Sequence, residues 1–433
     1  MRKPSTDAIS TALVKCSLVQ RGAEKPITYT GRGRVRRDRK GILRLVIHTE
    51  AIDLFEFFKR TSSDTAPGHL LPEDTYYDFA ACDENGHPWV ASRLTLDLRA
   101  REGKRTRVGA AIRRLETQQH RAFAAGEVPV MARAFIPGDF QSLAWARAGR
   151  PFEGNSDGVA WLAVPQGQEG MLVEVIPVRP NDDPSALLKR LLMALAIVFG
   201  VSLAPTLEHV FVHDQHITRF VTQTRPQWGG HLQPPFPPGY GATSQAVEFV
   251  THFIRAASVG DSPRFFHERW HQILRISRND IANSSLVLSV GVEAVVGEVF
   301  GDRLPPDPVW QAQVAEAKTV LLAAKLPPRV ASRLQSSLAS AEQKNCKAIL
   351  RHLKEECLVT QRHIDGWERL RHPAAHGKGM PEDDEAFQTH IHHYFASLGL
   401  FYALLAAAIH YTGPMVDFTE VGWPMHSQLT PAS

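Results

Sequence analysis

The chain has 433 residues, with 43 % hydrophobic and 22 % charged side chains and a formal net charge of +4. Its length implies two or three domains, and its composition excludes global disorder. The mild positive balance permits a polyanionic partner without requiring one.

From about residue 17 to 223 the chain reads as strands and turns. Residues 27–47 form two β-like arms around GRGRVRRDRKG, and the second arm, ILRLVIH, is set to pair back as a hairpin. Further strands are expected at 89–98, 159–164 and 171–178, with Glu84-Asn85-Gly86 as the turn before the first. Asp183 and Pro184 mark a helix start and Gly200 its end, giving a helix over 185–199. Strand-like runs follow at 209–213 and 217–222.

Residues 224–240, TRPQWGGHLQPPFPPGY, are too dense in proline and glycine for helix or sheet. A linker over 224–241 is expected, one that lets flanking domains move. After it the hydrophobic period becomes helical, with candidates at 245–257, 264–276, 281–300, 310–326, 346–358, 362–371 and 384–411. The predicted architecture is α+β and multidomain: a β-rich N-terminal domain over 1–223 and an all-α helical bundle over 242–433.

Cys16, Cys82, Cys346 and Cys357 contain no CxxC pair. Their spacing argues against a disulfide framework or structural zinc and fits a reducing compartment. The start MRKPSTDAIS leads into no apolar run, so a secretory signal is not expected. Residues 191–205 and 395–409 are apolar but shorter than the roughly 18–20 residues that cross a bilayer. They read as buried bundle helices, and a cytoplasmic protein without a membrane partner is expected.

The stretch that carries chemistry is GWERLRHPAAHGKG, residues 366–379. On one continuous helix, Arg371 and His376 would lie about 140° apart and share no face. Pro373 disfavours helical geometry at His372 and interrupts the hydrogen-bond ladder, so a bend between Arg371 and His376 is expected, aiming both into one cleft. A guanidinium holds a phosphodiester through two parallel hydrogen bonds. An imidazole moves protons near pH 7. RNA supplies the nucleophile, its own 2′-hydroxyl, so the reaction needs neither metal nor cofactor.

The stretch resembles the Arg-x4–6-His motif of HEPN domains, helical ribonuclease and toxin domains, and WERLRHPAAHG is especially similar to the ApeA-type domains of bacterial anti-phage defence. Residues 285–300 resemble the early family helix that carries a glutamate among apolar residues, here Glu293. The pattern covers roughly residues 245–412, and His372 stands where the family most often has Asn. The resemblance implies that Arg371 and His376 are catalytic, with His372 and Glu293 supporting. It also implies a homodimer or higher homo-oligomer that sets two motifs face to face. The products would be a 2′,3′-cyclic phosphate and a 5′-hydroxyl end. The implied activity is abortive-infection cleavage of RNA, transfer RNA included. The N-terminal domain would sense a phage-derived trigger or hold the nuclease quiet.

Each residue has a plainer reading. Arg371 and His376 also suit a helix end before Gly377. Glu293 suits a solvated helix position, or else orients Arg371. His372, His376, His390, His392 and His393 invite a metal-dependent hydrolase, but no carboxylate or Cys sits at zinc spacing and no metal is expected. Arg32, Arg34, Arg36, Arg37, Arg39 and Lys40 either grip an RNA backbone or form a solvated hairpin that keeps a sheet edge from aggregating. The main functional alternative is a non-catalytic HEPN-like module that binds RNA or protein.

Overall fold

A computed structural model describes residues 9–50, 70–102, 105–120, 130–140, 151–156, 158–177, 182–222, 231–237, 242–277, 280–305, 308–324, 326–342, 345–375 and 383–427. It divides into two compact units, Met1–Leu192 with Leu203–Trp228 and Met193–Ser202 with Gly229–Ser433. The first is β-rich and the second is a helical bundle, as the hydrophobic periods require.

The β-rich unit contains β1 (Ser10–Gln20), β2 (Thr28–Arg37), β3 (Leu43–Glu50), β4 (Tyr77–Cys82), β5 (Pro88–Leu94), β6 (Leu96–Glu102), β7 (Arg105–Ile112) and β8 (Arg114–His120). Beyond them come β9 (Val130–Pro137), β10 (Phe152–Ser156), β11 (Val159–Pro165), β12 (Gly170–Pro177), β13 (Leu207–Val212) and β14 (Gln215–Val221). All pair antiparallel, in the order β10-β11-β12-β9-β13-β14-β8-β5-β4-β1-β2-β3-β7-β6.

That order conceals a closure. β5 runs into β6 and β7 into β8 with one residue between each pair, and Trp89 faces Thr117 in the same register in which Leu96 faces Ala110. The four segments are thus one long bent hairpin. One arm reaches β4 through β5 and the other reaches β3 through β7, so the sheet closes into a barrel. Alternation fills its interior. Leu43, Leu45 and Ile47 of β3 point in, with Leu13, Leu18, Val35, Phe79, Trp89, Val108 and Leu115 from other strands. Gly33 admits a close approach, because a Cβ there would lie 2.8 Å from Cys16 Sγ. The turn expected at Glu84-Asn85-Gly86 forms, with Gly86 at φ 83° and Asp83 Oδ1 accepting from Asn85 and His87 N–H at 2.9 Å each.

Helix α1 (Pro184–Phe199) starts where Asp183 Oδ1 accepts the Ser185 N–H at 2.8 Å and stops at Gly200, φ 69°. The helical unit then holds α2 (Thr243–Val259), α3 (Ser262–Ile276), α4 (Ile281–Phe300), α5 (Pro308–Ala323), α6 (Pro328–Glu342), α7 (Cys346–Glu355), α8 (Gln361–Ala375) and α9 (Asp384–Ala408). A short hairpin of β15 (Pro414–Val416) and β16 (Met425–Ser427) follows. α6 was not expected, although Val330, Leu334 and Leu338 stand at helical spacing; none of its described residues is buried. Among the described residues α4 and α9 are long and apolar enough to cross a membrane, but 50 % and 67 % of their most apolar windows are buried inside the protein. Both serve as core helices. In α9, Leu398, Leu400, Phe401, Leu404 and Leu405 are fully enclosed.

The expected linker needs correction. Its described part, 231–237, is irregular as proline demands, yet it is packed into the helical unit. Leu232 and Phe236 are buried, Phe236 meets Phe249 and Tyr411 edge-on, and Tyr402 Oη donates to Gln233 O at 2.9 Å. Apolar burial fixes this stretch where composition alone suggested a free tether.

At Gly366 of α8 an added Cβ would lie 2.5 Å from Ala396 Cβ on α9. Gly366→Ala is expected to force the helices apart and destabilise the helical unit by about 1–3 kcal/mol, measured as a lower thermal midpoint.

Burial also lowers three partly enclosed histidines, His209, His267 and His363, to about 4. In the unfolded chain they titrate near ~6.5. Between these values the unfolded state binds more protons, so stability present above pH ~6.5 is lost as pH falls toward 4. The thermal midpoint should drop across that window, and His363→Gln should make the drop shallower.

Candidate active site

Ile364, Trp367 and Leu370 form the buried face of α8, at the spacing that marks an amphipathic helix. Two rungs join α8 to α4. Trp367 Nε1 donates to Ser289 O at 3.2 Å, and one turn further along both helices Arg371 Nε forms an ion pair with Glu293 Oε1. Trp367 and Arg371 are four residues apart, as are Ser289 and Glu293, so one helical repeat sets both rungs in register. The Arg371 guanidinium also lies over the Trp367 ring, 5.9 Å from its centroid.

Glu293 therefore meets Arg371, the contact expected of an orienting carboxylate. Arg371 is paired through Nε, while 50 % of its side chain is exposed. Beyond Glu293, its Nη groups meet no ion-pair or hydrogen-bond partner among the described residues. They present two donors in a plane, the fork that suits a phosphate or carboxylate.

The expected break at His372 does not occur. The backbone of α8 is helical through Pro373 to Ala375, and the bend expected before His376 reaches beyond the described residues. Packing of Trp367 and Leu370 holds the turn that precedes Pro373. The His372 side chain and all of His376 lie outside the described residues.

Cys346 opens α7 beside this pair, a neighbour that no spacing in the sequence revealed. Burial pushes its thiol up to about 12, with Glu293 adding to the rise and Arg371 opposing it. Lys347 Nζ meets Glu368 Oε1 at 2.6 Å and ties α7 to α8.

The α9 histidines do not converge on a metal. His390 Nε2 donates to Ser285 Oγ at 2.9 Å, since that hydroxyl already donates to Ile281 O. His392 Nε2 lies 3.0 Å from Gln388 Nε2, and His393, lowered by burial and by Arg369, is separate from both contacts. Asp417, Glu420 and His426 do gather their ligand atoms within 4.8 Å of one another. Those atoms are engaged already: Asp417 accepts from Thr419, and Glu420 meets Arg362 and His426. A groove of ≈ 450 Å³ lies between α8 and α9, lined by Arg362, Asp365, Arg369, His392, Phe395 and Trp423. Its α8 residues project from the side away from Arg371, so this cavity is not the Arg371 site.

The basic run divides. Arg37 is committed to the fold, donating to Gly41 O, Val221 O and Thr206 O. Arg32, Arg34 and Arg36 are exposed along β2, while Arg39 and Lys40 stand exposed in the turn after it. β2 pairs with β1 on one side and β3 on the other, so the expected sheet-edge role is excluded.

No family model matches the chain, and neither a curated protein nor a solved structure matches it.

The Cys346 environment can be tested in solution. With its pKa near 12, Cys346 should alkylate at pH 8 on the order of 1,000-fold more slowly than an unstructured thiol. Glu293→Gln should accelerate alkylation and Arg371→Ala should slow it, read by mass spectrometry of the Cys346 peptide.

Proposed function

We propose that the chain is a metal-independent endoribonuclease of the HEPN type, with Arg371 and His376 as its catalytic pair. One observation carries this reading: an arginine paired with Glu293, half exposed, with no further ion-pair partner among the described residues, five positions before a histidine. Such a guanidinium binds the scissile phosphodiester and stabilises the charge that develops on its oxygens. The 2′-oxygen bonds to phosphorus as the P–O5′ bond breaks. One imidazole removes the 2′ proton and a second protonates the leaving 5′-oxygen, giving a 2′,3′-cyclic phosphate and a 5′-hydroxyl end.

A single His376 supplies one of those two groups. A second copy related by a two-fold axis supplies the other. Supporting a homodimer, α5 and α6 leave Val309, Trp310, Val320, Leu322, Val330 and Leu334 exposed, apolar surface suited to a further interface. Unregulated RNA cleavage in the cytoplasm is toxic to its host, which fits an anti-phage role with the β-rich unit sensing the trigger.

One observation favours the non-catalytic alternative: the Arg371–Glu293 pair also acts as a brace between two core helices. Incubation with total RNA in EDTA separates the readings. Cleavage that persists with chelator and is lost by at least 100-fold in Arg371→Ala and in His376→Ala, with the oligomer intact, supports the nuclease. RNA bound but left uncut by the wild type, or cut equally by both variants, overturns it.

A further inference from the structure

The barrel carries a second charged surface, remote in sequence from α8. Arg32, Arg34 and Arg36 alternate on β2 with inward residues such as the fully buried Val35. They therefore share the outer face of the barrel. The paired strand extends this face, because Arg32 stands opposite His48 and Arg36 opposite Arg44. One strand further, His48 stands opposite Arg107. On the other side of β2, Arg34 faces Ala12 and Arg36 faces Ser10, and on β7 Gly109 and Ala111 face Val46 and Arg44. Small residues on both flanks keep the face low and accessible.

Like charges placed opposite one another across strands destabilise a sheet. Of these charges, Arg44 is neutralised by Asp38. Arg32, Arg34 and Arg36 form no ion pair among the described residues, and Asp38 is taken by Arg44 at 3.2 Å. Protection of a free edge is no explanation, because β2 is paired on both sides. Alternate residues on a strand recur about every 6.6–6.8 Å, a repeat comparable to that of successive phosphates along one nucleic-acid strand. The nearby aromatic, Tyr29, is 8 % exposed and belongs to the barrel core, so it offers no stacking platform for a base.

We infer that this face binds the sugar–phosphate backbone of a single nucleic-acid strand, without reading its sequence. Each arginine takes a phosphate and releases a condensed counterion. The inference stands independently of the nuclease reading, since it concerns another unit of the chain and requires no cleavage.

The test is fluorescence anisotropy of the full-length protein with a labelled 20-nucleotide oligothymidylate, across a salt series. DNA lacks the 2′-hydroxyl, so the probe survives any ribonuclease activity. Replacing Arg32, Arg34 and Arg36 together with Gln is expected to weaken binding more than tenfold at low salt and to reduce the slope of log K against log[salt] by about 2, at roughly 0.7 per lost phosphate contact. The triple Lys replacement should retain the slope. Arg34→Gln alone should reduce it by about 0.7, which keeps the test valid if the triple variant folds poorly. Oligouridylate should bind the His376→Ala protein with similar affinity. Unchanged affinity and slope in the Gln variants overturn the inference, as does binding to phosphatidylserine vesicles without binding to the oligonucleotide.

Discussion

The helical unit depends on how closely α8 can lie against α9. Gly366 has no side chain where Ala396 approaches, and α9 is enclosed along most of its second half. With α8 held there, Trp367 reaches Ser289 and Arg371 reaches Glu293 on α4. The exposed guanidinium is thus positioned by apolar packing several residues away. Its cation–π contact with Trp367 and its bond to Glu293 are consequences of that seat.

Burial and charge are combined differently in the two units. In the β-rich unit, strand alternation sends Leu43, Leu45 and Ile47 into a barrel and leaves Arg32, Arg34 and Arg36 outside. In the helical unit, one charged pair sits at the margin of a core that is otherwise apolar, and Cys346 beneath it is held neutral by burial and by Glu293. Both surfaces present arginine to solvent from a rigid element. The barrel offers a row of separate charges, which suits a repeating polyanion. The α4–α8 site offers a single oriented fork, which suits one phosphate.

Much of the fold was legible in the residues. Asp183-Pro184 and Gly200 marked α1, and the hydrophobic run of 281–300 gave α4 to the residue. The Gly86 turn and the β2–β3 hairpin followed from local chemistry. Other features left no local trace. The long strand expected over 89–98 proved to be the bent junction of β5 and β6, because closure of a barrel depends on partners far away in sequence. At Pro373 a local preference against helix at His372 was overridden, and the backbone stays helical to Ala375.

The sequence by itself determined which segments alternate with period two and which with the helical period, where turns and caps fall, and that Arg371, His376 and Glu293 carry the residue types for phosphodiester chemistry. Those properties depend on neighbours a few positions away. Only the tertiary structure decided that Glu293 holds Arg371, that Cys346 lies beside them, that Arg37 serves the fold while Arg32, Arg34 and Arg36 face outward, and that 231–237 is buried. Each of these is set by close packing between elements distant in sequence, and volume and partner geometry in a core are properties of the assembled whole.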